Sequence, residues 1–399
     1  MNSPPLTGLR VLDLSRILAG PWCTMTLGDL GAEIIKVENP GLGDDTRQWG
    51  ATLPGGERTY FLAANRNKRS ICIDMAKPEG QALIKEMAKS ADIVVENYKF
   101  GGLAKYGLDY PQLSALNPRL IYCSISGYGR VGPNAPRPGY DFVIQAESGL
   151  MSITGLPEGE PIKTGVAISD LFAGMYSVQA ILAAVIARQQ TGRGQHIDIS
   201  LFDCSLANLG NISSSALNTG RVPVRYGNAH PDVVPYQPIE AKDGDVVVAV
   251  GNDSQFRKFC RDVLKREDLV ADARFLRNPD RLVNRKALIE ELAKTMRTRT
   301  RAEWLADMAR FDIPGGVLQN AIEALATEDA KARDMVKTLP HPTAGEIRIV
   351  GSPLKFSDTP VRAPSTPPLL GQHTDEVLRE ILGLDEGRIA ALRSAGAVS

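Results

Sequence analysis

The sequence predicts an α/β fold with a largely parallel sheet, from three observations. Short apolar runs recur through the first two hundred residues and read as buried strands. Segments with helical spacing lie between them. Hydrophobic residues are 43% and charged residues 23% of the 399, an ordinary globular composition. Strands alternating with helices build βαβ units, whose strands run parallel.

Taken in order, Leu9–Leu14 is the first strand. Gly20-Pro21 opens a helix to Gly31, with Pro suited to a first turn. Ala32–Val37 is the second strand, and Asn39–Thr46 a Gly/Pro/Asp loop. Ser70–Asp74 is the third strand, Pro78–Ser90 a helix, and Ala91–Glu96 the fourth strand. A helix at Tyr110–Leu116 precedes a fifth strand, Leu120–Ser124. Gly127-Tyr-Gly-Arg-Val-Gly132 matches G-x-G-x-x-G, but Pro133, Pro136 and Pro138 follow where a helix must begin. It is read as a loop, so neither nicotinamide nor flavin is expected. His196–Ser200 is a strand and Leu201–Leu217 a helix. Thr219–Gln237 has little periodicity and reads as a linker or functional loop. Asp245–Gly251 opens a second unit with helices at Ser254–Val263, Asn284–Met296 and Arg301–Arg310. A helix at Ile322–Met335, a strand at Glu346–Val350, a Pro-rich bridge and two helices, Thr374–Leu384 and Glu386–Ala395, close the chain. The expected division is a large domain in 1–220, a smaller inserted domain in 221–330, and a return to the large domain in 331–399.

Lys plus Arg equals Asp plus Glu at 46 each, so no whole-surface attraction to nucleic acid or anionic membrane is expected. The five cysteines are scattered without a CxxC or Cys/His cluster, so no metal is expected, and a reducing compartment fits. The N-terminal residues lack a basic region followed by an apolar one, and a cytoplasmic protein is expected.

Gly165–Gly174 is the stretch on which the chemistry is placed. Asp170 precedes a long apolar run, Leu171–Ala187, with Gly192 beyond it. It reads as the N-cap of a helix buried on every side. Backbone N–H groups there are expected to favour its ionised form, and a carboxylate so held can attack an activated acyl carbon. Plain capping explains the same residue.

Further motifs decide between these readings: Leu12-Asp-Leu-Ser, Ala19-Gly-Pro, Gly31-Ala-Glu-Ile-Ile-Lys-Val-Glu, Asn67-Lys-Arg-Ser, Val95-Glu-Asn, Ser126-Gly-Tyr-Gly, Arg137-Pro-Gly-Tyr-Asp, Ile168-Ser-Asp, Thr191-Gly-Arg-Gly-Gln, Ile313-Pro-Gly-Gly-Val and Leu370-Gly-Gln-His-Thr-Asp. In this order the chain resembles the class III CoA-transferases, the family of formyl-CoA:oxalate and carnitine-related enzymes, over essentially its whole length. The resemblance implies a Rossmann-like large domain built from both chain ends, a smaller inserted α/β domain, and an interlocked homodimer. It implies coenzyme A, as acyl-CoA, and small carboxylic acids as substrates, with Asp170 as the catalytic nucleophile. CoA is then exchanged through an aspartyl anhydride and an aspartyl-CoA thioester. The positions matching CoA contacts are Leu18, Ala19, Asn39, Ile73, Asp74, Met75, Ala76, Asn97, Tyr98, Lys99, Lys105, Arg137, Pro138, Gly139 and Tyr140, with Lys68 and Arg69 as further phosphate candidates. Trp49 and Tyr60 match aromatic positions near the acyl pocket, and Gly227, Asn228 and His230 read as a loop over it. Arg16 and Leu18 replace polar residues of oxalate-using members. Arg16 is expected to pair with the far carboxylate of a dicarboxylate such as succinate. The rival within the family is an acyl-CoA racemase, but the position of its partner histidine is held here by Tyr140, a poor base at neutral pH. An inactive CoA-binding member is the other alternative.

Overall fold

The computed structural model describes residues 2–399. The chain forms two compact units. The first takes the segments up to Leu150, Lys163–Arg221 and Glu328–Ser399; the second takes Met151–Ile162 and Val222–Thr327.

From the N-terminus run β1 (Arg10–Asp13), α1 (Ala19–Asp29), β2 (Glu33–Glu38), α2 (Thr59–Ala64), β3 (Lys68–Cys72), α3 (Pro78–Ser90), β4 (Ile93–Glu96) and α4 (Tyr110–Leu116). There follow β5 (Ile121–Ser126), α5 (Asp141–Glu147), α6 (Leu150–Ile153), α7 (Ile168–Thr191), β6 (His196–Ser200), α8 (Leu201–Asn208) and α9 (Gly210–Thr219). The six strands form one parallel sheet in the order β3-β2-β1-β4-β5-β6. This is a mixed α/β fold of the Rossmann type, and its strand order reverses between β1 and β4.

Alternate strand residues serve the two faces of the sheet. Leu12, Ile35, Ile71 and Val94 pack with Leu83, Ile84 and Met87 of α3 on one face. Val11, Ile34, Val95 and Cys123 pack with Leu27 of α1 and Val178 and Ile181 of α7 on the other. Both sides of the sheet are covered, which is why its strands read as unbroken apolar runs.

In the second unit β7 (Tyr236–Ala241), β8 (Gly244–Ala249) and β9 (Gly315–Gly316) make an antiparallel sheet. Around it lie α10 (Asp253–Lys258), α11 (Glu267–Ala271), α12 (Asn278–Val283), α13 (Arg285–Met296), α14 (Arg301–Arg310) and α15 (Ala321–Leu325). Val246, Val248, Phe256, Leu288 and Trp304 form its core. The chain then re-enters the first unit through α16 (Glu328–Ala332), the hairpin of β10 (Val336–His341) and β11 (Gly345–Val350), α17 (Thr374–Leu382) and α18 (Glu386–Ser394). Val377, Leu378, Ile389 and Leu392 of these last helices belong to the same core as α3, so both chain ends build the large unit.

Four readings are corrected. The helix predicted to begin after Asp170 starts at Ile168, with Ala167 as its N-cap; Asp170 lies inside the first turn. It is not buried on every side. Ala173, Gly174, Ser177, Val178, Ile181 and Ala184 are buried, whereas Phe172 and Ile186 are exposed. By length and composition α7 would suit a membrane span, yet its buried Arg188 pairs with Asp92 at 2.9 Å and it packs on α1, β5, β6 and α8. The helix read over Leu201–Leu217 breaks at Gly210, whose φ is 53°. The helix read over Ile322–Met335 is two short helices.

Candidate active site

Ligands of open parallel sheets bind beyond the carboxyl ends of the strands, where strand order reverses. A cavity of about 360 Å³ lies there in the first unit. Arg16–Ala19 after β1, Asn97–Phe100 and Lys105 after β4, and Ile125–Gly127 at the end of β5 line it. Arg137–Tyr140, ahead of α5, and Asp170 complete it. A neighbouring cavity shares Arg16 and Tyr98 and is lined by Asn39, Asp44, Asp45, Asp74, Met75 and Ala76.

The loop after β1 is held against its own conformational preference. Ile17 has φ 70°, a left-handed conformation that a β-branched residue avoids. Asn97 clamps the loop reciprocally: its side-chain oxygen accepts from Arg16 N–H at 2.8 Å, and its amide donates to Arg16 O at 2.6 Å. The Ile17 N–H donates to the Asp44 carboxylate at 3.2 Å. Asp44 is in turn anchored by Lys36, whose ammonium donates to it at 2.9 Å and to Ser15 O at 2.9 Å. Burial alone would raise the Asp44 carboxyl, but Lys36 and the Thr46 N–H overcome it and hold it at about 2. This network, buried at Lys36 and Asp44, holds the left-handed Ile17 at the mouth of the cavity, where backbone strain tends to mark function.

Two glycines form the wall beside Arg137–Tyr140. A Cβ on Gly127 would lie 2.6 Å from Gly139 Cα, and one on Gly139 2.7 Å from Gly127 Cα. Two backbones meet there, and neither has room for a side chain. At Gly174 a Cβ would meet Ala19 O at 2.8 Å, so glycine brings α7 close to the start of α1.

Asp170 reaches the cavity from the first turn of α7. The expectation that helix N–H groups favour its anion is corrected. Burial, and then the charge of Asp141, raise the Asp170 carboxyl to about 7. The first-turn N–H of Ser169 is taken by Asp141 at 2.8 Å. Tyr60 senses the same charge: burial, then Asp170, raise its phenol. Around this carboxylate the cavity carries Arg16, Lys99, Lys105 and Arg137, four cations against one acid, an electrostatic lining suited to a polyanion. A carboxylate of raised basicity in such a place has the chemistry to attack an activated acyl carbon.

A family profile described as CoA-transferase family III matches residues 6–374. The chain belongs to CoA-transferase family III. It is 42% identical over 397 residues to the human succinyl-CoA:glutarate CoA-transferase, covering 100% of this chain and 90% of that one. It is 43% identical over 386 residues to the succinate–glutarate CoA-transferase of Agrobacterium fabrum, covering 95% and 96%. The solved structure of a CaiB/BaiF family protein from Brucella suis superposes with a TM-score of 0.84 at 44% identity, covering 95% of this chain and 100% of that one.

In this CoA-transferase the predicted contact residues divide between the two cavities. Leu18, Ala19, Asn97, Tyr98, Lys99, Lys105, Arg137, Pro138, Gly139 and Tyr140 line the one holding Asp170. Asn39, Asp74, Met75 and Ala76 line its neighbour. Ile73 lines neither and is fully buried in the core. Lys68 and Arg69 are corrected as phosphate candidates. Lys68 is buried on Asp13 at 3.1 Å, and Arg69 is paired with Glu33, Glu376 and Glu380. Trp49 and Tyr60 meet edge to face at 5.5 Å. Arg16 pairs with Asp45 at 3.2 Å and lies over the Tyr98 ring at 5.0 Å. Arg137 is bound by Glu147 at 2.7 Å on the exposed surface, a pair that solvent weakens. In the second unit Gly227 N–H donates to Gly155 O, and His230 packs on Tyr236 at 5.2 Å. Sequence reasoning missed Lys36, Asp44 and the bond from Asp141 to Ser169. Only the carboxylate of Asp44 in the Asn39–Thr46 loop and the Asp beside Tyr140 were visible signals, because the pairings are made across the fold.

Proposed function

We propose that this CoA-transferase moves CoA from succinyl-CoA to a dicarboxylic acid through a covalent intermediate on Asp170. The observation that carries the reading is the Asp170 carboxylate, raised to about 7, in a cationic cavity at the strand-order reversal. The names of the human and Agrobacterium relatives support the substrate class.

An Asp170 oxygen attacks the thioester carbonyl and the C–S bond breaks, giving a mixed anhydride and CoA thiolate. The thiolate attacks Asp170 Cγ, the anhydride C–O bond breaks, and succinate leaves the aspartyl-CoA thioester. The acceptor carboxylate attacks Cγ and expels the thiolate, which then attacks the acceptor's carbonyl. Asp170 is returned as a carboxylate, with no net proton change. Gly127 and Gly139 line the same cavity as Asp170, and backbone N–H groups of their loops serve as the donors to the tetrahedral oxyanions in this reading. Lys99, Lys105 and Arg137 meet the phosphates, and the cavity with Asn39 and Asp74–Ala76 takes the remainder of CoA.

Arg16 recognises the far carboxylate, exchanging Asp45 for the substrate. The test is a panel of acyl-CoA donors crossed with carboxylate acceptors, read by mass spectrometry. Succinyl-CoA with a dicarboxylate should give the fastest exchange, and Arg16→Ala should lower the preference for dicarboxylates over monocarboxylates about tenfold or more. An unchanged preference would remove Arg16 from the account. Deuterium entering the α-carbon of a chiral acyl-CoA without exchange would favour racemisation instead. The enzyme acts as a homodimer, a reading supported by the exposed apolar residues Phe172 and Ile186 on α7 and Leu206 on α8.

A further inference from the structure

Asp141 stands apart from every residue assigned above. It begins α5, directly after Tyr140. One carboxylate oxygen accepts from the Ser169 N–H at 2.8 Å, in the first turn of α7. The other accepts from Gln145 Nε2 at 2.8 Å. Gln145 is fully buried, and its side-chain oxygen accepts from the Thr164 N–H at 3.0 Å and from the Thr164 hydroxyl at 3.3 Å. A single chain of bonds thus runs from Thr164, in the segment entering α7, through Gln145 and Asp141 of α5 to the turn that carries Asp170. No side chain of that segment caps α7 itself. Asp141 does so from another helix.

The geometry points to Asp141 as a positioning residue for transfer: through the Ser169 N–H it fixes the turn that aims Asp170 into the cavity, and it sets its own negative charge against that carboxylate. This rests on the functional reading above. The mixed anhydride has two carbonyls. Thiolate attack at Asp170 Cγ expels the substrate's carboxylate and goes forward. Attack at the substrate's carbonyl expels the Asp170 carboxylate and returns to the donor. The weaker base leaves more readily. A free aliphatic acid titrates at about 4.3, whereas burial and then the Asp141 charge push the Asp170 carboxyl up to about 7. A like charge nearby therefore favours aspartyl-CoA in both half-reactions, from the donor anhydride and from the acceptor anhydride alike, and so raises the share of enzyme held as that thioester.

Other groups face Asp170. Tyr60 comes from α2, Arg16 from the β1 loop, Tyr98, Lys99 and Lys105 from beyond β4, and Arg137 and Tyr140 from ahead of α5. On α8, Asp203 is raised by burial and then Asp198, not by Asp170. Asp141 is the one charge that acts on Asp170 appreciably.

The test uses two variants of the full chain. Asp141→Asn keeps an acceptor for Ser169 N–H and removes the charge; Asp141→Ala removes both. The Asp170 carboxyl is followed by carbon-13 NMR in aspartate-labelled protein, its resonance assigned by its loss in Asp170→Asn. Its midpoint should fall by about one pH unit or more in Asp141→Asn. The acid limb of kcat/KM should move with it to lower pH, and the share of enzyme trapped as aspartyl-CoA by succinyl-CoA alone should fall several-fold. In Asp141→Ala kcat should fall at least about tenfold below that of Asp141→Asn as the turn loosens. An unshifted midpoint in folded Asp141→Asn overturns the electrostatic role. Equal kcat in the two variants overturns the positioning role. The titration needs no turnover, so it decides the electrostatic role of Asp141 even if no substrate pair reacts, an outcome that would defeat the functional reading alone.

Discussion

At Asp170 two opposing influences meet, and burial wins. A carboxylate in the first turn of a helix ordinarily gains from the N-terminal N–H groups. Here Asp141 takes the Ser169 N–H, and burial with the Asp141 charge raises the Asp170 carboxyl to about 7. Two outcomes follow from the sign of that shift. Protonated Asp170 is no nucleophile, so kcat/KM should rise with pH and level off above about 7. The same group opposes folding. Its folded value lies above the unfolded one of 3.8, so it takes stability away as pH rises from about 4 to about 7. Asp170→Asn should abolish exchange and raise stability, by on the order of 2 kcal/mol at pH 8 after solvent screening and by little at pH 4. Denaturant melts at the two pH values measure this, and a variant no more stable at pH 8 than at pH 4, relative to the parent, would contradict it.

Among the elements, the β1 loop shows how buried charge supports a binding edge. Lys36 on β2 holds both Ser15 O and Asp44, and Asp44 holds the strained Ile17. Lys36→Ala leaves a buried carboxylate without its partner, a loss of roughly 3–5 kcal/mol. Asp44 then relieves itself by taking a proton, so the deficit should be larger at pH 8 than at pH 5 in urea melts; a deficit that does not change with pH would refute the pairing argument. The strands and helices of this region were legible because their apolar runs are dense and their breaks chemically marked. Pro78–Ser90 and Tyr110–Leu116 have the bounds their spacing predicts. The start of α7 was misjudged because Asp170 looks like a local cap, whereas the capping carboxylate comes from Asp141, 28 residues away in sequence. Leu201–Leu217 looked continuous because Gly210 alone breaks the pattern, and one glycine is tolerated in many helices.

Over the whole molecule, the parallel sheet follows from the βαβ pattern, whereas the strand order and its reversal are seen only in the fold, and the completion of the large unit by α17 and α18 came from family resemblance, since an apolar stripe does not name its partner. The same holds for the outward face of α7. Its apolar composition predicted full burial, and a single chain covers one side. We propose that a second copy covers Phe172 and Ile186; light scattering should give twice the chain mass of 43.1 kDa, and Ile186→Glu should lower it toward one. A parent protein monomeric at micromolar concentration would contradict this. The cationic lining of the Asp170 cavity was also invisible to net charge, which is zero. Folding gathers Arg16, Lys99, Lys105 and Arg137 from separate segments into one wall.

The central claim is that Asp170 is acylated during turnover. Incubation with succinyl-CoA, rapid acid quench, and mass spectrometry of the tryptic peptide 164–188 test it most directly. The account predicts a CoA thioester on that peptide, placed at Asp170 by fragmentation, discharged by added dicarboxylate and absent from Asp170→Asn. Exchange of CoA at full rate by folded Asp170→Asn, or by the parent with the peptide unmodified throughout, would contradict it.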